Sequence, residues 1–151
     1  LVVQSLNNDP SLQVSTLKTK IRHLKDITDP NNVKVVTDSR GMALYFSRSP
    51  IPYERDGRNG GEQAGPEAPT EYCPEAAFKH IGVYAYRRPF LLEFTGWGRS
   101  PLEQIEKLEQ LRILERGGNI KVEETLLDSL GVDVPEDIMK IEQALNEMEM
   151  S

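Results

Sequence analysis

Apolar and polar positions change their period along this chain, and the changes mark out its elements. Leu12 to Lys18, LQVSTLK, alternates as a half-buried strand does, and the NNDPS before it is a turn signal. Val33 to Thr37 reads as a short strand entered through Asp29-Pro30. Ser39 to Gly41 is a tight turn and Met42 to Arg48 another strand. Two strands joined by so few residues predict a β-hairpin, which Pro50 and Pro52 end because proline donates nothing to a ladder. Lys79 to Arg88, KHIGVYAYRR, is a further strand, and Arg88 to Trp97 a short helix. Asn119 to Glu124 is a strand again. GVDVPEDIMKIEQALNEMEM then predicts a turn and a last helix with Ile138, Ile141 and Leu145 on one side. A hairpin in the first half, and helices alternating with strands in the second, predict an α/β fold with a mixed sheet.

The segment SPLEQIEKLEQLRILERGG, Ser100 to Gly118, reads as one amphipathic helix. Ser100 and Glu103 make a capping box, Pro101 suits the first turn, and Gly117-Gly118 suits the stop. On a wheel at about 100° per residue, Leu102, Ile105, Leu108 and Ile113 share an apolar arc, and Glu109 falls inside it. A buried carboxylate is costly unless paired or hydrogen-bonded. Glu109 is therefore a core carboxylate paired with a cation, an exposed group on a rotated helix, or a ligand for hydroxyl groups. Gln110, at the edge of the arc, adds an amide donor and acceptor.

On the strand KHIGVYAYR, alternation puts Ile81, Val83 and Ala85 on one face, the expected core face. His80, Gly82, Tyr84 and Tyr86 fall on the other. That row reads either as an ordinary half-exposed face or as hydrogen-bonding groups flanking a gap at the glycine. Arg48, ahead of a proline turn, suits a surface ion pair or a two-pronged grip on a carboxylate or phosphate. Asp133, in GVDVPED, suits a helix N-cap with Glu136 downstream, or a metal-binding carboxylate beyond a strand end. The two roles are compatible.

Composition narrows the function classes. The net charge of −6 argues against a general nucleic-acid binder, though a local pocket can still hold an anion. No run of apolar residues is long enough for a membrane span. LVVQSLNNDP lacks the marks of a signal peptide, and one cysteine, Cys73, makes no internal disulfide, which suits a reducing cytoplasm. Residues 54–73, rich in Gly, Pro and Glu, predict a long flexible loop. No GxGxxG, Walker, CxxC or HExxH pattern occurs.

Taken together, NVKVVTDSRGMALYFSRSPIPYERD, KHIGVYAYRRPFL, SPLEQIEKLEQLRILERGGNIKV and GVDVPEDIMKIEQAL resemble, in this order, the 3-deoxy-manno-octulosonate cytidylyltransferases, or CMP-Kdo synthetases. The resemblance covers nearly the whole chain. It implies the C-terminal part of a nucleotide-diphospho-sugar-transferase-like, Rossmann-like fold. It also implies a reaction: CTP and the sugar acid Kdo give CMP-Kdo and diphosphate, with Mg²⁺ offsetting charge. CMP-Kdo feeds lipopolysaccharide or plant cell-wall polysaccharide synthesis.

Carried over residue by residue, the resemblance implies that Arg48 contacts the Kdo carboxylate, and that His80 and Tyr84 line the sugar pocket. Glu109 and Gln110 hold its hydroxyls, facing a cleft, and Asp133 is one of two aspartates on Mg²⁺. A homodimer is implied as well. The family's IPARxxSxRLPGKP and QGDEP segments, which hold CTP phosphates and the other metal aspartate, are not in these residues, and Val134 stands where threonine is usual. Leu1 to Asn8 resembles the helix just after QGDEP. The expectation is therefore a C-terminal portion, residues 1–151 of one cytidylyltransferase domain without its nucleotide half, inactive alone. The alternatives are a non-catalytic dimerisation or split-subunit module, and a related CMP-sialate synthetase.

Overall fold

The computed structural model describes residues 1–54 and 76–126. Most of the loop read at 54–73 lies outside the described residues, as do the final helix and Asp133. Among the described residues, ten elements follow in chain order: α1 (Val2–Asn8), β1 (Val14–Lys20), α2 (Leu24–Thr28), β2 (Lys34–Thr37), β3 (Ala43–Ser47), β4 (Phe78–Tyr86), α3 (Arg88–Thr95), α4 (Pro101–Glu106), α5 (Leu111–Glu115) and β5 (Lys121–Glu124). The five strands form one sheet in the order β3-β2-β4-β1-β5. β1 and β5 run parallel, while β4 pairs antiparallel with both β1 and β2. β2 and β3 are the expected hairpin, turned at Gly41, whose φ of +74° is a left-handed conformation that glycine adopts without strain. The mixed α/β sheet expected from the alternating pattern is the one observed.

The alternation of β1 sets the layers. Val14 joins a core of Val35, Phe46, Phe94, Leu108, Leu111, Ile113, Ile120 and Val122, so helices α3 to α5 supply one layer. Its neighbour Ser15 turns the other way, and its hydroxyl donates to Val2 O of α1 at 2.6 Å. Ile21, Ile27 and Ala77 make a small second cluster beside α2.

Two expectations fail here. The segment from Ser100 is two helices, because Lys107 takes a left-handed conformation, φ 57° and ψ 42°. A side chain bearing Cβ in that region costs roughly 1–2 kcal/mol. The wheel drawn through residues 100–118 therefore loses its phase after Glu106. Ile105, placed in the apolar arc, is 76% exposed, whereas Glu103 is buried, 5% exposed. The capping box at Ser100 is present, with Ser100 N–H donating to Glu103 Oε2 at 3.1 Å. The predicted stop also holds. Gly117, at φ +76°, and Gly118 close α5 by donating to Leu114 O and Ile113 O, each at 2.9 Å. A Cβ on Gly118 would stand 2.7 Å from Ile113 Cγ2, so the chain passes there only without a side chain.

The second failure is the face assignment of β4. Ile81 is buried as expected, but Val83 is 51% exposed, and Tyr84 and Tyr86 pack against the main core. His80, Tyr84 and Tyr86 do share a face, but it is the one that meets the helices, and the ladder beside β1 is uneven. Ser15 pairs with Ala85 and Leu17 with Ile81, so Gly82, Val83 and Tyr84 stand opposite the single residue Thr16. Val83 faces out, while the aromatic row packs against the helices.

Candidate functional site

The aromatic row carries the candidate site residues of β4. Phe46 meets His80 edge-on at 5.0 Å, His80 meets Tyr84 at 5.4 Å, and Tyr84 stacks on Tyr86 at 5.7 Å. Tyr86 continues onto Phe94 at 6.0 Å, so the row is tied to α3. Such offset contacts hold rings at fixed angles. The expected gap at Gly82 is real, since a Cβ there would meet nothing within 4 Å.

Thr16, which the pattern did not single out, organises the bulge. Its Oγ1 lies 3.0 Å from His80 Nε2, 3.2 Å from Ile81 O and 2.9 Å from Val83 O. A hydroxyl has one hydrogen. Given to a carbonyl, it leaves Oγ1 to accept from His80 Nε2–H. That fixes the neutral tautomer and leaves Nδ1 as an acceptor. Burial pushes the His80 imidazole down to about 4, so it stays uncharged near neutral pH. Burial drives the Tyr84 phenol far up, against the lowering effect of the Thr16 hydroxyl, and its buried hydroxyl makes no hydrogen bond of normal geometry among the described residues. Tyr86 is pushed up to about 12, by burial first and then by the Glu109 carboxylate.

Glu109 and Gln110 sit next to core residues that the row also packs on. Glu109 is exposed and Gln110 buried, 7% exposed, in the turn between α4 and α5. The wheel's core carboxylate is thus not Glu109. Leu108 and Leu111, which flank the pair, belong to the core that Tyr84 and Tyr86 touch. The side-chain amide of Gln110 makes no hydrogen bond to the described residues. The Glu109-Gln110 turn and the aromatic row thus pack on one core, the turn bringing a carboxylate and an amide and the row a phenol and an imidazole, groups of the kind that bind hydroxyls.

Arg48 is held by two backbone carbonyls. Its Nε donates to Glu106 O at 2.9 Å and its Nη1 to Pro30 O at 2.9 Å. To grip a carboxylate with two N–H groups it would release at least one of these carbonyls. Behind it, the wholly buried Lys34 ammonium donates to Asp29 O at 2.8 Å and also to Asn32 O. Both cations therefore hold the turn at 29–32. Asp133 lies outside the described residues, and among those described no group of three or more His, Cys, Asp or Glu side chains could hold a metal ion. A cleft of about 700 Å³ opens beside α1, between Ser5, Asp9, Arg40, Met42 and Lys121, but none of the expected site residues lines it.

Comparison with known proteins decides the family. A family profile described as cytidylyltransferase matches residues 1–126. The chain belongs to the cytidylyltransferase family. This cytidylyltransferase chain is 50% identical over 143 residues to a 3-deoxy-manno-octulosonate cytidylyltransferase of Syntrophotalea carbinolica, covering 95% of this chain and 55% of that protein. A namesake from Pelobacter propionicus is 49% identical, over 91% of this chain and 52% of its own. The fold matches a solved CMP:2-keto-3-deoxy-manno-octonic acid synthetase complexed with CTP, at a TM-score of 0.80 and 36% identity, over 97% of this chain and 54% of that one. The chain spans about half the length of the curated relatives it matches. Among the described residues no helix is long and apolar enough to cross a membrane.

Proposed function

We propose that this chain forms the sugar-acid side of a CMP-Kdo synthetase. The observation that carries the reading is the roughly 50% identity, over nearly the whole chain, to proteins named for that activity. The shared core on which the Glu109-Gln110 turn and the Tyr84 row pack is compatible with it. In the reaction, the anomeric hydroxyl of Kdo attacks the α-phosphorus of CTP. A new P–O bond forms, the bond to the bridging oxygen breaks, and diphosphate leaves as the hydroxyl gives up its proton.

The residues described here hold the sugar acid. Glu109 accepts hydrogen bonds from hydroxyls, Gln110 gives and accepts one, Tyr84 donates and His80 Nδ1 accepts. A neutral imidazole serves this better than a charged one, which would lose its acceptor. Mg²⁺, with Asp133 among its ligands, would supply charge neutralisation at the phosphates. The sugar nucleotide then serves lipopolysaccharide or polysaccharide synthesis in the cytoplasm, with the enzyme as a homodimer.

Positioning catalysis needs both substrates held together. The chain on its own is therefore expected to release no diphosphate from CTP and Kdo, while still binding Kdo in a calorimetric titration. Diphosphate release that depends on both substrates would overturn the first expectation. Failure to bind Kdo would overturn the assignment of the site.

A further inference from the structure

The helix break at Lys107 places Glu109 and Gln110, and the structure shows what holds the break. Glu106 is the last residue of α4, and both oxygens of its carboxylate are engaged by the end of β3. Ser47 Oγ donates to Oε1 at 2.6 Å and Arg48 N–H to Oε2 at 3.0 Å. The Glu106 carbonyl accepts a third bond, from Arg48 Nε at 2.9 Å. Ser47 is itself buried, and its Oγ also accepts from Ser49 N at 3.0 Å. Hydrogen bonds to an ionised carboxylate are the stronger kind. Two of that kind, and one to the carbonyl, join two residues of the hairpin to one residue of the helix, immediately before the backbone enters a conformation that a lysine does not favour by itself.

We infer that Glu106 is a positioning residue: its carboxylate staples the end of α4 to the end of β3 and so sets where Glu109 and Gln110 stand. It touches no substrate. The consequence for the sugar acid rests on the reading of Glu109 and Gln110 given above, whereas the consequence for the backbone does not.

The reporters are backbone amides. Leu111, Arg112 and Ile113 N–H donate to the carbonyls of 108, 109 and 110, so they read the turn itself. Val122 and Ala43 N–H, bonded to Gly41 O and Ile120 O, read the rest of the fold. Hydrogen exchange is measured on the 151-residue chain and on Glu106→Ala, Glu106→Gln and Ser47→Ala. The expected result is exchange about tenfold faster at 111–113 in Glu106→Ala, with Val122 and Ala43 unchanged. Ser47→Ala and Glu106→Gln, which each spare part of the staple, give smaller increases at the same amides. If both amide sets speed up together, or neither does, the staple is refuted. Should Glu106→Ala fail to fold, the two milder variants decide by the same comparison.

Titration with Kdo separates the two ideas. Gln110→Ala tests the site, and unchanged affinity in that variant, or no Kdo binding by the parent chain, refutes the site reading while the exchange result stands. If Gln110→Ala weakens Kdo binding about tenfold but Glu106→Ala binds as the parent does, the positioning role is refuted. Partial recovery of affinity in Glu106→Gln relative to Glu106→Ala supports it.

Discussion

Glu103 and Glu109 lie six residues apart in a segment that reads as one helix, yet their surroundings are opposite. Glu103 is buried and meets Arg112 with both oxygens, Arg112 Nε donating to Oε2 at 2.7 Å. Each partner moves the other away from its ordinary value: hydrogen bonding to Arg112 pulls the Glu103 carboxyl down, and bonding to Glu103 pushes the guanidinium up. Arg112 also lies 4.8 Å from the centre of the Phe94 ring and donates to Trp97 O at 3.2 Å. Glu109 has none of this and stands in solvent. A charge taken inside must bring its partner, and a charge that serves a ligand must keep its lone pairs free. One segment holds both a buried and an exposed carboxylate because it bends between them.

The largest effect comes from breaking the buried pair. Glu103→Ala leaves the Arg112 guanidinium buried without its counter-charge and is expected to cost about 3–5 kcal/mol in denaturant unfolding. The double change Glu103→Leu with Arg112→Met is expected to recover most of that loss. A loss under 1 kcal/mol for Glu103→Ala would show that the pair is as exposed as Glu109 and would end the contrast.

His80 adds a third way of burying an ionisable group, which is to keep it neutral. Its folded value is about 4 against the ordinary 6.5, so between those pH values the unfolded chain binds a proton that the folded chain does not. Stability on this account is complete above about pH 6.5 and falls as the pH drops towards about 4, by up to about 3 kcal/mol. Unfolding curves from pH 4 to 8 for the chain and for His80→Gln should differ in slope by this contribution, with the steeper acid loss in the parent. Parallel curves would mean that the imidazole is charged in the fold.

The smallest effect on folding is expected at Glu109. Glu109→Gln should change stability by less than about 0.5 kcal/mol while weakening Kdo binding about tenfold, as loss of a charged hydrogen-bond acceptor does. If the substitution unfolded the chain and left affinity intact, Glu109 would belong with Glu103.

What was legible in the sequence was local. The capping box at Ser100, the glycine stop after Glu115 and the hairpin about Gly41 are set by neighbours within a few residues, and all are present. The break at Lys107 was not legible, because lysine does not signal a left-handed residue. Its support comes from Ser47 and Arg48, almost sixty residues away. On β4 the alternation held, since His80, Tyr84 and Tyr86 share a face, but the face that meets the helices was misread. Which face a sheet buries depends on where the helices pack, which nothing in KHIGVYAYR announces. The candidates His80, Tyr84, Glu109 and Gln110 were named by resemblance, whereas their surroundings required the fold.

The pair Gly117-Gly118 shows what this implies for how such a sequence can drift. Gly117 is constrained by its backbone angle alone, with open space where a side chain would go, so asparagine, which tolerates left-handed angles, can stand in for it. Gly118 is constrained by volume, since any Cβ meets both the Ile113 side chain and, at 3.0 Å, its carbonyl oxygen. Two adjacent letters that look interchangeable are thus governed by different rules, and among descendants of this chain the first is free to vary where the second is not.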